Sequence, residues 1–201
     1  GAFSFFPTKN ITTGEGGMLT CADDAYAERV RARIAHGVKS TTLAREKEAR
    51  PWLRAAEAPG HNFRMPNPLA ALGWTQLKRL EEMNSARVSR AAAYNEAFAD
   101  LAPRLATPHV APEATHVYQL YTVRIEEAVR DRVVNALRAD KVGASVHFDP
   151  PVHLQPAYGA TEGTLPATER LSREIVTLPM YPDMTDAEQA HVIESLRRAL
   201  G

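Results

Sequence analysis

The chain has 201 residues, and its 24 Lys and Arg residues balance its 24 Asp and Glu residues, so the formal net charge is zero. This balance gives no electrostatic reason to expect nucleic acid or an anionic membrane as a partner. The length suffices for one large domain or two small ones with a substantial core, and no apolar run approaches the ~20 residues that span a bilayer.

Cysteine content and the start of the chain bear on its compartment. The single cysteine, Cys21, excludes an internal disulfide and is compatible with a reducing environment. No signal-peptide pattern opens the sequence. We therefore expect a cytoplasmic protein.

The first stretch reads FSFFPTKNITTGEGGM and places Lys9 between an apolar, strand-like run and a loop rich in Thr and Gly. No other charged residue lies between Ala2 and Asn10. A lysine in such surroundings is expected to be partly desolvated, which favours the neutral amine, and a neutral amine can react with a carbonyl. Ser4 and Thr8 add hydroxyl donors that suit a phosphate group on the same ligand.

Two interpretations of this stretch remain open on residue reasoning alone. Either Lys9 bonds a carbonyl ligand covalently, or Gly14, Gly16 and Gly17 form a hairpin turn and Lys9 is solvated. The pattern GxxxxGK[ST] is absent, so a nucleoside triphosphate is not the expected ligand.

A short strand is predicted at residues 17–20, followed by a helix that Asp23 or Asp24 caps. Tyr26, Val30 and Ile34 recur at helical spacing and predict its packed face, while the neighbouring arginines predict a solvated face. Gly37 is expected to cap the C-terminus of this helix.

Residues 38–59 lose this periodicity, which predicts a long exposed loop with a short helix near residues 44–50. Trp52 within it is expected to be a core residue, with a lid over substrate as the alternative. Arg64, beyond the loop, could bind an anion or form a structural ion pair.

A helical stretch is predicted at residues 66–100, with a leucine-rich apolar side. Gly73 within it marks a close helix contact or a subunit seam. Pro103 and Pro108 break regular structure, and we place a domain boundary between residues 108 and 109.

Residues 109–201 are predicted to form a small α/β domain. We expect strands at 117–125, 144–148 and 175–178, and helices at 127–139, 168–173 and 185–200. The last helix should begin with a capping box between Thr185 and Glu188. In the proline-rich loop FDPPVHLQPAYG, His147 and His153 lack a recognised metal-ligand spacing, so we expect no metal.

The opening stretch resembles the lysine segment of the DegT/DnrJ/EryC1/StrS family of pyridoxal-phosphate sugar aminotransferases. Further blocks resemble the family in the family's order: AHG at 35–37, GHNFRMPNPLAALGWTQLKRL at 60–80, HVYQLYTVRI at 116–125, VHFDPPVHLQPAY at 146–158 and LPMYPDMTDAE at 178–188. The resemblance implies an α/β fold of the fold-type I aminotransferase class. Residues 1–108 would be the C-terminal part of the large cofactor domain, and residues 109–201 the small C-terminal domain.

The same resemblance implies roles for particular residues. Lys9 would hold pyridoxal 5'-phosphate covalently and shuttle a proton, and Ser4 would bind the cofactor too. Asn62 would reach the cofactor phosphate of the neighbouring subunit in a homodimer. His147 and His153 would line the cleft for a keto sugar, nucleotide-linked in the usual case, with an amino acid as amine donor; structural histidines are the alternative. A related branch of the family carries histidine in place of the lysine and performs dehydration, which Lys9 disfavours.

Family members carry three further parts of the cofactor site well upstream of the lysine: an acidic partner for the pyridinium nitrogen, an aromatic residue stacked on the ring, and a Gly-rich phosphate turn. Only eight residues precede Lys9 here, so we expect the chain to correspond to the C-terminal half of such an enzyme. Apolar surface should then be exposed beside Phe3, Phe5 and Phe6. The alternative is a non-catalytic binding or dimerisation module.

Overall fold

The computed structural model describes residues 1–40, 42–47 and 49–201. They divide into two compact units, Gly1–Leu80 and Glu81–Gly201. Within the described residues, no helix combines the length and the apolar character needed to cross a membrane.

The first unit opens with a hairpin. Strands β1 (Ala2–Ser4) and β2 (Gly17–Leu19) pair antiparallel, with Phe3 opposite Met18. The loop between them carries Lys9. The helices that follow are α1 (Asp24–Arg33), α2 (Thr42–Arg45) and α3 (Asn67–Leu77).

Helix α1 begins where the sequence predicts, because the Asp23 carboxylate accepts a hydrogen bond from the Tyr26 amide at 3.0 Å. The chain after the helix turns through Gly37, whose φ is +76° and whose amide donates to the Ala32 carbonyl at 2.8 Å. A Cβ atom at Gly37 would lie 1.7 Å from the Ala58 carbonyl oxygen, so only glycine fits this position.

The expected packing of the first unit is corrected in two places. Tyr26 is exposed on α1, and Val30 and Ile34 are only half-buried, so the predicted packed face is not covered in this chain. Trp52, expected in the core, is 75% exposed.

The short helix expected near residues 44–50 is instead four residues long, at Thr42–Arg45, and position 48 lies outside the described residues.

The second unit is a layer of helices on a three-stranded antiparallel sheet in the order β3, β4, β5. Tyr121 lies opposite Leu178, and Leu105 opposite Ile125. The strands are β3 (Leu105–Ala106), β4 (Tyr121–Ile125) and β5 (Ile175–Leu178), and the helices are α4 (Leu80–Ala97), α5 (Glu127–Ala139), α6 (Pro166–Glu174) and α7 (Asp186–Leu200).

The core of this unit lies between the sheet and the helices. Tyr94 from α4, Tyr121 and Val123 from β4, Leu137 from α5 and Leu196 from α7 are each 0% exposed. Burial alternates along β4: Tyr121, Val123 and Ile125 are buried, and the residues between them are not. This alternation follows because successive side chains of a strand point to opposite faces of the sheet. Helix α7 begins at the predicted capping box, in which Glu188 and Thr185 each bond the other's backbone amide.

The predicted strand at 144–148 is wrong. Only Ser145 pairs with β5, through two hydrogen bonds with Thr177 of 3.0 and 2.8 Å. The chain then runs into Pro150 and Pro151, which have no amide hydrogen to extend a ladder. The strand expected at 117–125 begins only at Tyr121, because Tyr118 has a φ of +45° that interrupts the extended chain.

The division between the two compact units lies after Leu80, whereas the predicted domain boundary lies between residues 108 and 109. Helix α4 contributes Ala91 and Tyr94 to the core of the second unit, and Phe98 directly after it does the same. The assignment of residues 1–108 to a large cofactor domain and of 109–201 to a small domain concerns the complete protein and stays a prediction.

Candidate active site

Lys9 lies in the loop of the first hairpin, which backbone hydrogen bonds close at several points. The Phe5 amide donates to Gly16 at 2.9 Å, and the Phe5 carbonyl accepts from the Thr13 amide at 3.0 Å. The Lys9 amide donates to Phe6 at 3.0 Å, which forms a tight turn just before the lysine. Lys9 itself is half-buried.

Helix α3 holds this loop through the amide side chain of Gln76. Its Oε1 accepts from the Thr12 amide at 3.0 Å, and its Nε2 donates to the Thr12 carbonyl at 2.7 Å. One turn earlier, a Cβ atom at Gly73 would lie 2.8 Å from the Thr13 side chain, and Thr13 is 1% exposed. The close contact expected at Gly73 is therefore made with the lysine loop.

Ser4 and Lys9 share a cavity of about 480 Å³, here called the lysine cavity. Its other polar lining residues are Asn10, Thr13 and Thr20. No carboxylate lines it among the residues that the structure describes. Most of the wall is apolar: Phe3, Phe5, Ile11, Met18, Met65, Trp74, Leu77 and Leu80.

Ser4 is exposed at the end of β1, where its Oγ accepts a hydrogen bond of 3.4 Å from the Phe6 amide. Asn62 is exposed and does not line the lysine cavity. Its segment is pinned to the end of α1, since the His61 amide donates to Arg33 at 2.7 Å and the Phe63 amide donates to Ile34 at 2.9 Å. The structure thus brings Ser4 and Lys9 together and places Asn62 elsewhere on the first unit.

The two histidines lie in the second unit. His147 is exposed and lines a cavity of about 240 Å³, with its Nδ1 3.2 Å from the Thr177 hydroxyl. His153 is half-buried, with its Nε2 3.0 Å from an oxygen of Glu169. A substrate-binding role for either residue stays a prediction, and the Glu169 contact supports the structural alternative for His153.

Glu169 organises the turn before α6. Its carboxylate accepts hydrogen bonds from the Gly163 amide at 2.7 Å and the Leu165 amide at 2.9 Å, as well as contacting His153. These donors, His153 first, lower the pKa of Glu169 to about 2. The proline-rich loop is therefore tied to α6 by a carboxylate that stays ionised in mild acid.

Sequence reasoning missed Gln76, the residue that positions the lysine loop. A local signal existed, because Gly73 and Gln76 are three residues apart and share a helix face. That signal does not indicate what the face contacts, since Thr12 is 64 residues away in sequence.

Comparisons with known proteins show what the chain is similar to as a whole. Spore coat polysaccharide biosynthesis protein SpsC of Bacillus subtilis (strain 168) is 37% identical over 205 residues, covering 98% of this chain and 52% of that protein. The aminotransferase TlmJ from Streptoalloteichus hindustanus superposes with a TM-score of 0.87 at 31% identity, covering 100% of this chain and 51% of that one. DesV from S. venezuelae superposes with a TM-score of 0.86 at 32% identity, covering 99% and 51%.

The chain spans about half the length of the relatives it matches. The superpositions confirm the predicted α/β fold of the fold-type I aminotransferase class. A family model described as the DegT/DnrJ/EryC1/StrS aminotransferase family matches residues 1–197, and the chain therefore belongs to that family.

Proposed function

We propose that the complete protein is a pyridoxal-phosphate-dependent aminotransferase that converts a keto sugar, in its nucleotide-linked form, to an amino sugar with an amino acid as donor. Lys9 is its covalent anchor for the cofactor and its proton-transfer residue. The observation that carries this proposal is the half-buried Lys9 in the wall of an apolar cavity. Membership of an aminotransferase family supports it.

The lysine cavity fits one side of pyridoxal phosphate. Its apolar walls suit an aromatic ring, Lys9 suits the aldehyde, and the Ser4 hydroxyl suits a phosphate oxygen. No carboxylate for the ring nitrogen lines the cavity among the described residues, so we assign that partner to sequence outside this chain. When bound, the cofactor supplies an electron sink for the carbanion formed at the substrate carbon.

The residues of this chain supply position and proton transfer. The hairpin bonds and the Gln76 amide fix the loop that carries Lys9, so the backbone from which the amine extends is held in place before substrate arrives. The Lys9 amine accepts a proton from the substrate carbon and returns it to the neighbouring reacting carbon. The surrounding aromatic and aliphatic side chains exclude water from that transfer once the rest of the complete protein covers them.

The test uses the full-length protein loaded with pyridoxal phosphate and reduced with borohydride. Peptide mass mapping should find the added cofactor mass on Lys9. Lys9→Ala should lose that label and lower turnover by about 10²–10⁴-fold or more, whereas Lys47→Ala, a change of an exposed lysine outside the cavity, should do neither. Labelling at any other lysine contradicts the proposal.

We propose that Asn62 acts across the boundary of a homodimer, as the family resemblance implies. Its exposed position on the pinned segment, away from the lysine cavity of its own chain, supports this role. In a hybrid of a Lys9→Ala subunit with an Asn62→Ala subunit, one site carries both defects and the other carries neither. Activity above that of both parents is expected, and a hybrid no better than either parent would place Asn62 outside the shared site.

The second candidate is that this chain by itself is a non-catalytic module. It is favoured by the lack of a described carboxylate in the lysine cavity and by the exposed Phe3 and Phe6 beside it. Titrating the isolated 201-residue chain with pyridoxal phosphate should give weak binding and no transamination. Tight, stoichiometric binding with turnover would show that the 201 residues are sufficient.

A further inference from the structure

A row of hydroxyl groups crosses the sheet of the second unit and ends at His147. Thr122 on β4 lies opposite Thr177 on β5, and their Oγ1 atoms are 3.1 Å apart. The Oγ1 of Thr177 also lies 3.2 Å from Nδ1 of His147. Thr177 is 5% exposed, whereas His147 is exposed. A buried hydroxyl thus holds a histidine that is accessible at the surface.

The backbone around Thr177 fixes this arrangement. β5 pairs with β4 along one side. On the other side, the Thr177 amide donates to the Ser145 carbonyl at 2.8 Å, and the Thr177 carbonyl accepts from the Ser145 amide at 3.0 Å. His147 follows two residues after Ser145, so Thr177 holds the same segment by its backbone and by its side chain. A β-branched side chain has few rotamers available to it, which makes the Thr177 hydroxyl a rigid partner for the ring.

The Thr177 hydroxyl has one proton to give and two neighbours that could take it. The Thr122 hydroxyl can donate as well as accept. Nδ1 of a neutral imidazole carries a basic lone pair, which accepts a hydrogen bond better than a hydroxyl oxygen does. The favoured arrangement therefore has Thr122 donating to Thr177, and Thr177 donating to His147. Since the hydrogen bond at one ring nitrogen determines which nitrogen carries the proton, the proton of neutral His147 lies on Nε2.

The surroundings of His147 indicate what its Nε2–H group can bind. In the part of the chain that the structure describes, the hydrogen bond to Thr177 is the only one that the His147 ring makes. No lysine, arginine or carboxylate lines the cavity of about 240 Å³ beside this ring among the described residues. A neutral donor in uncharged surroundings suits a neutral acceptor, such as a hydroxyl or carbonyl oxygen, better than it suits a phosphate.

We propose that Thr177 is a positioning residue that holds His147 as its Nε2–H tautomer, in which the ring donates a hydrogen bond to a neutral oxygen of the keto sugar. This inference rests on the proposed function, because it takes the keto sugar as the ligand of His147. Thr177 acts only through the ring, and Thr122 supports it by donating to its hydroxyl.

The first test is nitrogen NMR of the full-length protein with isotope-labelled histidine at about pH 8, where histidine is neutral. The ring signals of His147 are identified by their absence in His147→Gln. Wild type should show one bare nitrogen at Nδ1 and one protonated nitrogen at Nε2. Thr177→Val should move the two signals toward each other, as in a mixture of tautomers, and Thr177→Ser should restore them. The signals of His153, which contacts Glu169 instead, should not change.

The second test is steady-state kinetics with the nucleotide-linked keto sugar that wild type turns over fastest. Thr177→Val should raise KM by about 2–10-fold, the range for one hydrogen bond, and leave kcat within about twofold. Thr177→Ser should restore KM. In the His147→Gln background, Thr177→Val should raise KM no further, because the hydroxyl acts through the ring. The matched control Thr115→Val removes an exposed hydroxyl of the same unit and should leave KM unchanged.

Three results would overturn the proposal. A wild-type proton on Nδ1 of His147 would reverse the assigned tautomer. A KM for Thr177→Ser as high as that of Thr177→Val would assign the effect to packing of the methyl group. Additive losses in the Thr177→Val/His147→Gln double variant would show that Thr177 acts independently of the ring.

The NMR measurement requires no turnover, so it separates this proposal from the proposed function. Lys9→Ala should keep the wild-type tautomer of His147. Absence of cofactor labelling at Lys9, with that tautomer intact, would reject the proposed function and still support the action of Thr177 on the ring.

Discussion

The two compact units differ in how completely they bury their apolar side chains. The second unit encloses a continuous core in which Tyr94, Tyr121, Val123 and Leu137 are fully buried. In the first unit, no large apolar side chain among the described residues is buried. Several of them are instead about half exposed or more: Phe3, Phe6, Met18, Leu19, Tyr26, Leu43, Trp52, Leu53, Phe63, Leu72, Trp74 and Leu77.

Lys9, the candidate catalytic residue, therefore lies in the unit that leaves more of its apolar surface exposed. Monomeric soluble proteins rarely leave large contiguous apolar surface uncovered. Because the chain spans about half the length of its relatives, we propose that the other half covers the apolar side of the lysine hairpin and of α3. The exposure expected beside the phenylalanines is observed at Phe3 and Phe6, while Phe5 is half-buried.

The largest expected effect comes from separating the units. A fragment of residues 81–201 should unfold cooperatively on heating and show dispersed amide resonances, because its core is enclosed within it. A fragment of residues 1–80 should show neither property. A cooperative thermal transition of the 1–80 fragment would break the comparison.

Replacing one leucine by alanine in each unit should show the same difference between the units as a difference in stability. Leu137→Ala, at a fully buried position, should lower the free energy of unfolding of this chain by about 2–5 kcal/mol in urea titrations. Leu77→Ala, at a position that is 47% exposed, should change it by about 0.5 kcal/mol or less. In the full-length protein the cost of Leu77→Ala should rise, and the same small cost there would mean that nothing covers α3.

Arg87 tests how the second unit tolerates a buried charge. Its guanidinium donates to the carbonyls of Tyr118, Gln119 and Met180 at 3.1–3.4 Å, and burial lowers the pKa of Arg87. Arg87→Leu leaves these carbonyls without that donor and should cost about 1.5–3 kcal/mol in unfolding free energy, the range for hydrogen bonds to a charged group. The control Arg138→Leu, on the exposed face of α5, should stay within about 0.5 kcal/mol of wild type.

The last expected effect is the acid dependence of stability at Glu169. Hydrogen bonds lower the folded pKa of Glu169 from 4.5 to about 2. This stabilisation is therefore complete above the unfolded pKa and is lost as the pH falls from about 5 toward 2. Chemical denaturation between pH 6 and pH 2 should show a shallower decline for Glu169→Gln than for wild type. Parallel curves for the two proteins would mean that the contacts with His153, Gly163 and Leu165 do not favour the ionised form.

Local signals in the sequence predicted much of the second unit. The capping box at Thr185 identifies α7, and the helical spacing of Val133 and Leu137 identifies α5. Both signals are local, because a cap or an amphipathic face is defined by residues within one or two helical turns. The predicted strand at 144–148 failed because pairing depends on what lies beside a segment. Ala144 and Val146 are apolar, as strand residues often are, but the prolines that follow them prevent a ladder.

The first unit was harder to predict, since its side chains depend on contacts distant in sequence. Lys9 was selected as a candidate because its uncharged neighbours are close in sequence, and its role stays a prediction. Trp52 was expected in a core that this chain does not form around it. Arg31 was expected on a solvated face, and it is exposed, but its convergence with Arg54 and Arg64 on one cavity appears only once the loop folds back onto α1.

The Gln76 amide gives the lysine loop a kinetic property. Both bonds to Thr12 come from one planar group, at 3.0 and 2.7 Å, so they break in a single opening event rather than one after the other. The Thr12 amide hydrogen exchanges with solvent only when its bond to Gln76 has broken. Its exchange rate therefore reports how often the bonds that hold the Lys9 loop to α3 open, which makes one backbone proton a reporter of motion at the candidate active site.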